Sequence, residues 1–329
     1  MTGDTPSDAP LASELSEEAL LARIFPLLPA GDDTLLPPGD DAAVVAAPDG
    51  RFVVTTDVLV EDLHFRRSWS SGEDVGRRAA VQNLADVAAM GARPTSLVVA
   101  LVIPRDLPAS WVVGLARGLA AECRPLGVGV VGGDLSGGPL VIVAVTAHGD
   151  LGGRAPVLRS GARAGDVLAH AGVAGRSAAG LALLESGAPD PEPELVGAYL
   201  RPVSPLASGP AAAAAGATAM LDVSDGLLRD AGRLARASGV RIDLDSAAFA
   251  ADVHRLEPAA ALLGASAQRW VLDGGEDHGL LATFPAGTAL PTPFRAVGRV
   301  HAVAQGETPG VRVDGRPAPA RSGWDHFGG

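Results

Sequence analysis

Five short acidic segments stand at glycine-rich turns or at the ends of apolar runs. They are Gly39-Asp40-Asp41 ahead of Ala42-Ala43-Val44, Thr55-Thr56-Asp57 closing Phe52-Val53-Val54, Asp86 within Asn83-Leu84-Ala85-Asp86-Val87, Gly132-Gly133-Asp134 after Val128–Val131, and Asp222-Val223-Ser224-Asp225-Gly226 at a helix start. Carboxylates so placed can converge on a cleft. Magnesium is the simplest physical reason for such a set, because this hard cation takes octahedral oxygen ligands from a few carboxylates, waters and substrate phosphates. Thr55, Thr56 and Ser224 can add hydroxyl or backbone oxygens, and the adjoining glycines let a metal or phosphate approach the main chain. Seven histidines and one cysteine argue against zinc. Each segment also has a plainer explanation. An Asp beside Gly commonly makes a turn or a cap, Asp225 alone could be a first-turn helix acid, and His64 alone reads as a surface or hydrogen-bonded histidine. The combination carries the chemistry.

The elements that must position these residues follow from periodicity. Ser16-Glu17-Glu18 ahead of Leu20, Leu21, Ile24 and Phe25 predicts an N-capped helix. Val75, Ala79, Val81, Leu84 and Val87 predict a helix over 74–90 that stops at Gly91. Residues 96–103, 128–131 and 140–147 read as buried strands around a helix over 109–123. Leu227, Leu228, Ala231, Leu234 and Ala235 fall on one face of a helix over 226–238, with Ser224 as its expected cap and Gly239 as its end. Val240–Leu244 then alternates as a strand. The texture changes near residue 150, where a Gly- and Arg-rich stretch intervenes. We expect a disordered start over 1–13, an N-terminal domain over 14–150 and a C-terminal α+β domain over 151–329. Mixed strands and helices in both halves give a mixed α/β class.

Composition removes whole classes of mechanism. All 26 basic residues are arginine, so a P-loop ATPase, a Schiff-base enzyme and a protein kinase each lack an essential lysine. A net charge of −12 without a basic run argues against nucleic-acid binding. The polar, acidic first ten residues lack the pattern of a signal peptide, and no apolar run is long enough for a membrane span. The single cysteine, Cys123, fits a reducing compartment, and a cytoplasmic location is expected.

Taken in order, Gly39-Asp40-Asp41-Ala42-Ala43, Thr55-Thr56-Asp57 with His64-Phe65, Asn83-Leu84-Ala85-Asp86-Val87-Ala88-Ala89-Met90-Gly91, Gly132-Gly133-Asp134, Asp222-Val223-Ser224-Asp225-Gly226-Leu227 and Gly274-Gly275-Glu276-Asp277 resemble the thiamine-monophosphate kinases. Gly323-Trp324-Asp325-His326-Phe327 looks like that family's C-terminal aromatic motif. The resemblance runs from about residue 14 to 327. Several motifs are shared with the wider superfamily of aminoimidazole ribonucleotide synthetases and selenophosphate synthetases.

The resemblance implies a two-domain fold like that of aminoimidazole ribonucleotide synthetase, a homodimer whose N-terminal sheets pair into a barrel, and ATP-dependent phosphorylation of thiamine monophosphate. By it, Asp41, Thr55, Thr56, Asp57, Asp86, Asp134, Asp222 and Asp225 would hold several magnesium ions, with Asp57, Asp134 and Asp225 central to catalysis. Gly133, Asp134, Arg159 and Ser224 would contact ATP, and His64, Glu276 and Trp324 would face thiamine monophosphate. No nucleic-acid or membrane partner is implied. The chain departs from many relatives in reading His278-Gly279 where they have Tyr-Glu, and Trp324 where some have tyrosine. Another ATP-dependent enzyme of the superfamily and a non-catalytic thiamine-phosphate-binding module are the competing readings.

Overall fold

Helix and strand periods alternate throughout the chain, and the elements they produce fall into two compact units. The computed structural model describes residues 10–37, 42–189, 191–319 and 323. Residues 1–83 with 94–150 form the first unit, and residues 84–93 with 151–329 the second. Residues 1–9 of the expected disordered start lie outside the described residues, while Ala12–Glu14 form a short 3₁₀ turn.

In the first unit, α1 (Glu17–Ile24) begins as its sequence predicts, with the Ser16 side chain accepting from Ala19 N. Strands β1 (Thr34–Leu36) and β2 (Val44–Val45) make a small antiparallel ribbon. After β3 (Val53–Val60), α2 (Gly72–Ala89), whose residues from Leu84 onward belong to the second unit, starts two residues before the sequence pattern suggests. The reason is a reciprocal cap: Ser71 N donates to Asp74 Oδ2 at 2.9 Å, and Asp74 N donates to Ser71 Oγ at 3.2 Å. β4 (Arg93–Ile103), α3 (Ala109–Cys123), β5 (Gly129–Gly137) and β6 (Ile142–Asp150) complete the unit. Helices α2 and α3 touch backbone to backbone. A Cβ on Gly76 would lie 2.1 Å from Leu115 O, and one on Gly118 would lie 2.2 Å from Glu73 O.

The sheet of this unit runs β3-β6-β4-β5, antiparallel between β3 and β6 and parallel between β4 and β5. It corrects the expectation of a barrel-forming N-terminal sheet. The sheet is open, with β3 and β5 at its edges, and its strands do not close into a barrel. No barrel and no dimer geometry is present among the described residues. The mixed α/β class itself stands.

The second unit is built from β7 (Val167–Ala171), α4 (Arg176–Ser186), α5 (Pro193–Leu200), α6 (Ser208–Ala214), β8 (Ala219–Val223), α7 (Leu227–Ser238), β9 (Val240–Leu244), α8 (Ala250–Leu263), α9 (Ala267–Asp273), β10 (Gly279–Phe284), β11 (Arg295–Ala302), β12 (Gly310–Val313) and β13 (Arg316–Pro317). Its sheet runs β13-β12-β9-β11-β7-β10-β8 and is antiparallel except between β9 and β12. Both faces of the sheet are covered. Leu281 of β10 joins a core with Leu221, Leu227, Leu234 and Phe249, whereas Leu280, Ala282 and Phe284 join a second core with Met220, Ala212 and Phe294. That double burial is why β10 reads as a nearly continuous apolar run, broken only by Thr283, instead of alternating. The α7 stripe expected from the sequence is buried in the first of these cores. Strand β8, at the sheet edge, delivers Asp222 and the turn after it.

Candidate active site

In the first unit the alternation of β3 decides which side chains can act together. Thr55 and Asp57 share one face, and Thr56 points to the other. Asp57 N donates to Asn83 Oδ1 at 3.0 Å, and the fully buried Asn83 donates in turn to Ala79 O at 2.9 Å. Asn83 thus locks the Asp57 backbone to α2. The Thr56 hydroxyl donates to Val145 O at 3.0 Å and receives a hydrogen bond from the Thr146 hydroxyl at 3.2 Å, so it is committed across the strand pair. His64 follows β3. Its Nδ1 accepts from Val60 N at 3.0 Å, which leaves Nε2 as the donor of a neutral ring.

Asp134 is exposed on β5, opposite Ala100 of β4, and its Oδ2 accepts from Ser136 Oγ at 3.1 Å. Gly133 must be glycine because a Cβ there would lie 2.1 Å from Val99 O. Beside this pair, a mostly apolar cavity of about 230 Å³ is lined by Leu101, Val112, Val131, Gly132 and Gly133.

In the second unit Asp222 is almost wholly buried at the end of β8, and Ser224-Asp225-Gly226 turns the chain into α7. Ser224 is not the side-chain cap that the sequence suggests. Gly226 occupies the cap with φ of 114°, a conformation glycine adopts readily, and no side chain caps the helix there. Instead the Asp230 carboxylate folds back from inside α7 and accepts from Ser224 N at 3.1 Å and Asp225 N at 2.9 Å. Arg233 holds both acids, reaching Asp230 Oδ1 at 2.6 Å and Asp225 Oδ2 at 2.5 Å. Burial, and then the neighbouring Asp222, push the Asp230 pKa up to about 7 against the opposing pull of Arg233. Gly323, the first residue of the C-terminal motif, packs on this turn, where a Cβ would lie 2.2 Å from Asp225 O.

Glu276 comes to the same place through the Gly274–His278 turn. Glu276 N donates to Ser224 O at 2.8 Å and His278 N donates to Val223 O at 3.1 Å. Between them, the buried Asp277 carboxylate accepts from Gly175 N at 2.5 Å and Ser177 N at 2.8 Å, satisfying the open N-terminus of α4. Burial raises the Asp277 pKa to about 7, against those two backbone donors. His278 lies between Asp222 and Glu276, 3.6 Å from a carboxylate oxygen of each. That is longer than a hydrogen bond and close enough for charge pairing. Burial alone would lower its pKa; the two acids outweigh it and push the value up to about 10.

The structure therefore gathers Asp222, Ser224, Asp225 and Glu276 around one turn of the second unit, and Thr55 and Asp57 on one face of the first. Asp86 belongs to the second unit's portion of α2 and is half-buried. Arg159 is exposed on the loop before β7, and its carbonyl accepts from Ser238 Oγ at 2.8 Å. Asp41 and Trp324 lie outside the described residues. Asp230, Arg233 and Asp277 were missed by the sequence reading. Asp230 sits a turn into α7, and only its folding back reveals it. Asp277 stands inside the Gly274–Asp277 motif, but its service to a helix a hundred residues away has no local signal.

The donors present suit a hard cation, being oxygen donors with an excess of negative charge. Among the described residues, no three acid, histidine or cysteine side chains stand close enough to form a ready-made metal cage. Magnesium needs no such cage, since it takes one or two carboxylates and fills its shell with waters and phosphate oxygens.

This organisation has known counterparts. Residues 39–151 match the AIR synthase related protein N-terminal domain and residues 163–282 the corresponding C-terminal domain, so the chain is an AIR synthase related protein. The thiamine-monophosphate kinase of Mycobacterium tuberculosis is 49% identical over 331 residues, covering 98% of this chain and 95% of that one. The crystal structure of thiamine monophosphate kinase from Aquifex aeolicus superposes with a TM-score of 0.74 at 32% identity, covering 93% of this chain and 99% of that one. A structure of AaThiL complexed with AMPPCP and TMP gives 0.77 at 33% identity, covering 98% and 100%. Within its superfamily, the chain belongs to the thiamine-monophosphate kinases.

Proposed function

We propose that the chain transfers the γ-phosphoryl group of ATP to the phosphate of thiamine monophosphate, giving thiamine diphosphate and ADP. The observation that carries this is the turn that joins Asp222, Ser224, Asp225 and Glu276 at the end of β8, in a chain belonging to this kinase family. An oxygen of the acceptor phosphate attacks the γ-phosphorus, and the bond from that phosphorus to the β–γ bridging oxygen breaks. The acceptor oxygen is already ionised at neutral pH, so no strong general base is required. This agrees with the absence of a nucleophile–base pair among the residues assigned to the site. The difficulty is bringing two polyanions in line, and catalysis rests on positioning and charge neutralisation.

Asp41, Thr55, Thr56, Asp57, Asp86, Asp134, Asp222 and Asp225 are the proposed magnesium ligands, Thr56 being the one whose hydroxyl is already engaged across the strand pair by Val145 O and Thr146. When bound, magnesium supplies the positive charge that offsets the triphosphate and the transferring group. Gly133, Arg159 and Ser224 contact ATP, Arg159 as a bidentate fork on phosphate. His64, Glu276 and Trp324 face thiamine monophosphate, Trp324 stacking on a ring and Glu276 offsetting the thiazolium charge.

The working form is proposed to be a homodimer in the cytoplasm. The free, buried Cys123 suits a reducing compartment, and no described helix is long and apolar enough to cross a membrane. Product identification tests the activity. Purified chain with ATP, magnesium and thiamine monophosphate is expected to yield thiamine diphosphate and ADP in equal amounts. ADP formed with formylglycinamidine ribonucleotide, and none with thiamine monophosphate, would instead indicate an aminoimidazole ribonucleotide synthetase.

A further inference from the structure

The Gly274–His278 turn contains one group that the reaction above leaves unused. His278 is 4% exposed, yet neither of its ring nitrogens has a hydrogen-bond partner among the described residues. A buried imidazole in that state is costly unless charged neighbours compensate it. Its neighbours do. Nδ1 lies 3.6 Å from Asp222 Oδ2, and Nε2 lies 3.6 Å from Glu276 Oε2. The backbone is bent to hold the ring there. Glu276 and His278 both adopt positive φ, at 70° and 51°, flanking the Asp277 side chain that is anchored to α4. Non-glycine residues seldom take this conformation, and two in one turn must be held by their surroundings.

We propose that His278 is a positioning residue that couples the substrate-facing Glu276 to the metal-facing Asp222, so that a change at one acid is felt at the other. The inference rests on the roles given above to Asp222 and Glu276. Asp222 has two oxygens. The one directed at His278 is oriented by the ring, leaving the other for the cation, much as outer-shell partners orient metal-ligating carboxylates elsewhere. Glu276 is only about one-third exposed and shares the same ring. Take away the Glu276 charge, and His278 bears on Asp222 alone. Asp222 then becomes the poorer oxygen donor.

The test is a double-variant cycle read by KM for thiamine monophosphate and by the magnesium midpoint, the free magnesium concentration that half-saturates the chain in calorimetric titration with a non-hydrolysable ATP analogue bound. Glu276→Gln removes one charge from a partly exposed side chain and preserves the shape of the turn. It is expected to raise KM for thiamine monophosphate by about tenfold and, although Glu276 holds no metal, to raise the magnesium midpoint at least about threefold. His278→Gln is expected to raise both parameters together. In a His278→Gln background, the further Glu276→Gln change is expected to move the magnesium midpoint by less than about twofold. The coupling is overturned if Glu276→Gln alone leaves that midpoint at the wild-type value, or moves it equally with and without His278. If His278→Gln fails to fold, the single Glu276→Gln variant decides. A wild-type chain that forms no thiamine diphosphate overturns the functional reading, and the coupling with it. A wild-type chain that turns over while Glu276→Gln leaves the midpoint unmoved overturns the coupling alone.

Discussion

Asp57 and Asp225 occupy opposite kinds of surroundings, and their substitution should show it. Asp57 sits on a strand whose backbone is fixed by Asn83, while Asp225 is held by Arg233 at the mouth of a helix. Neither carboxylate carries a core. Asp225→Asn and Asp57→Asn should therefore fold, and each is expected to lower kcat by about 100-fold, on the order of 3 kcal/mol of transition-state stabilisation. Steady-state rates at saturating magnesium, with circular dichroism as the fold control, check this. Near-wild-type turnover in either variant would remove that residue from the metal set. At this scale the sequence was informative about residue type and order, because glycine-flanked acids are visible as text. It did not show that Thr56 faces away from Thr55 and Asp57 until the strand was placed. Nor did it show that His278, visible only as a departure from tyrosine, would be enclosed between two acids.

The elements give two stability expectations. The contact of α2 with α3 depends on glycines, so Gly76→Ala must move backbone away from Leu115 O. It is expected to cost about 1–3 kcal/mol in urea unfolding, the range seen for overpacking. Unchanged stability would mean that the helices separate at no cost. On β7, His170 is buried, its Nδ1 has no partner among the described residues, and Arg295 lies nearby. Burial first, then Arg295, depress its pKa from 6.5 to about 3. The folded chain thus keeps the ring neutral while the unfolded chain takes up a proton below pH 6.5. Stability from this group is full above that pH and is lost as pH falls toward about 3, at about 1.4 kcal/mol per pH unit. His170→Gln is expected to flatten the slope by about that amount in unfolding curves at pH 6, 5 and 4, and parallel slopes would contradict it. Helix α3 was legible to the residue, and α7 to within one, because their apolar periods are regular and glycine or proline bounds them. The start of α2 was not, since a Ser71–Asp74 cap lies outside the apolar pattern. The strand order was not legible at all, because it depends on pairings between segments far apart in sequence.

For the whole molecule, the acidic, lysine-free composition narrows how phosphate can be held. Two phosphorylated ligands meeting a chain of net charge −12 require positive charge from arginine and from a bound cation. The acids assigned above are useful only if that cation arrives. Four strands of the first unit form an open sheet, so the expected barrel gives no support to any assembly, and the activity must be judged on its own. ADP release is the measurement closest to the central claim, made with thiamine monophosphate, with free thiamine and with no acceptor, each with and without magnesium. ADP should appear with thiamine monophosphate and magnesium together and be near background in the other five mixtures. ADP release that ignores thiamine monophosphate, or that persists after magnesium is chelated, would contradict it.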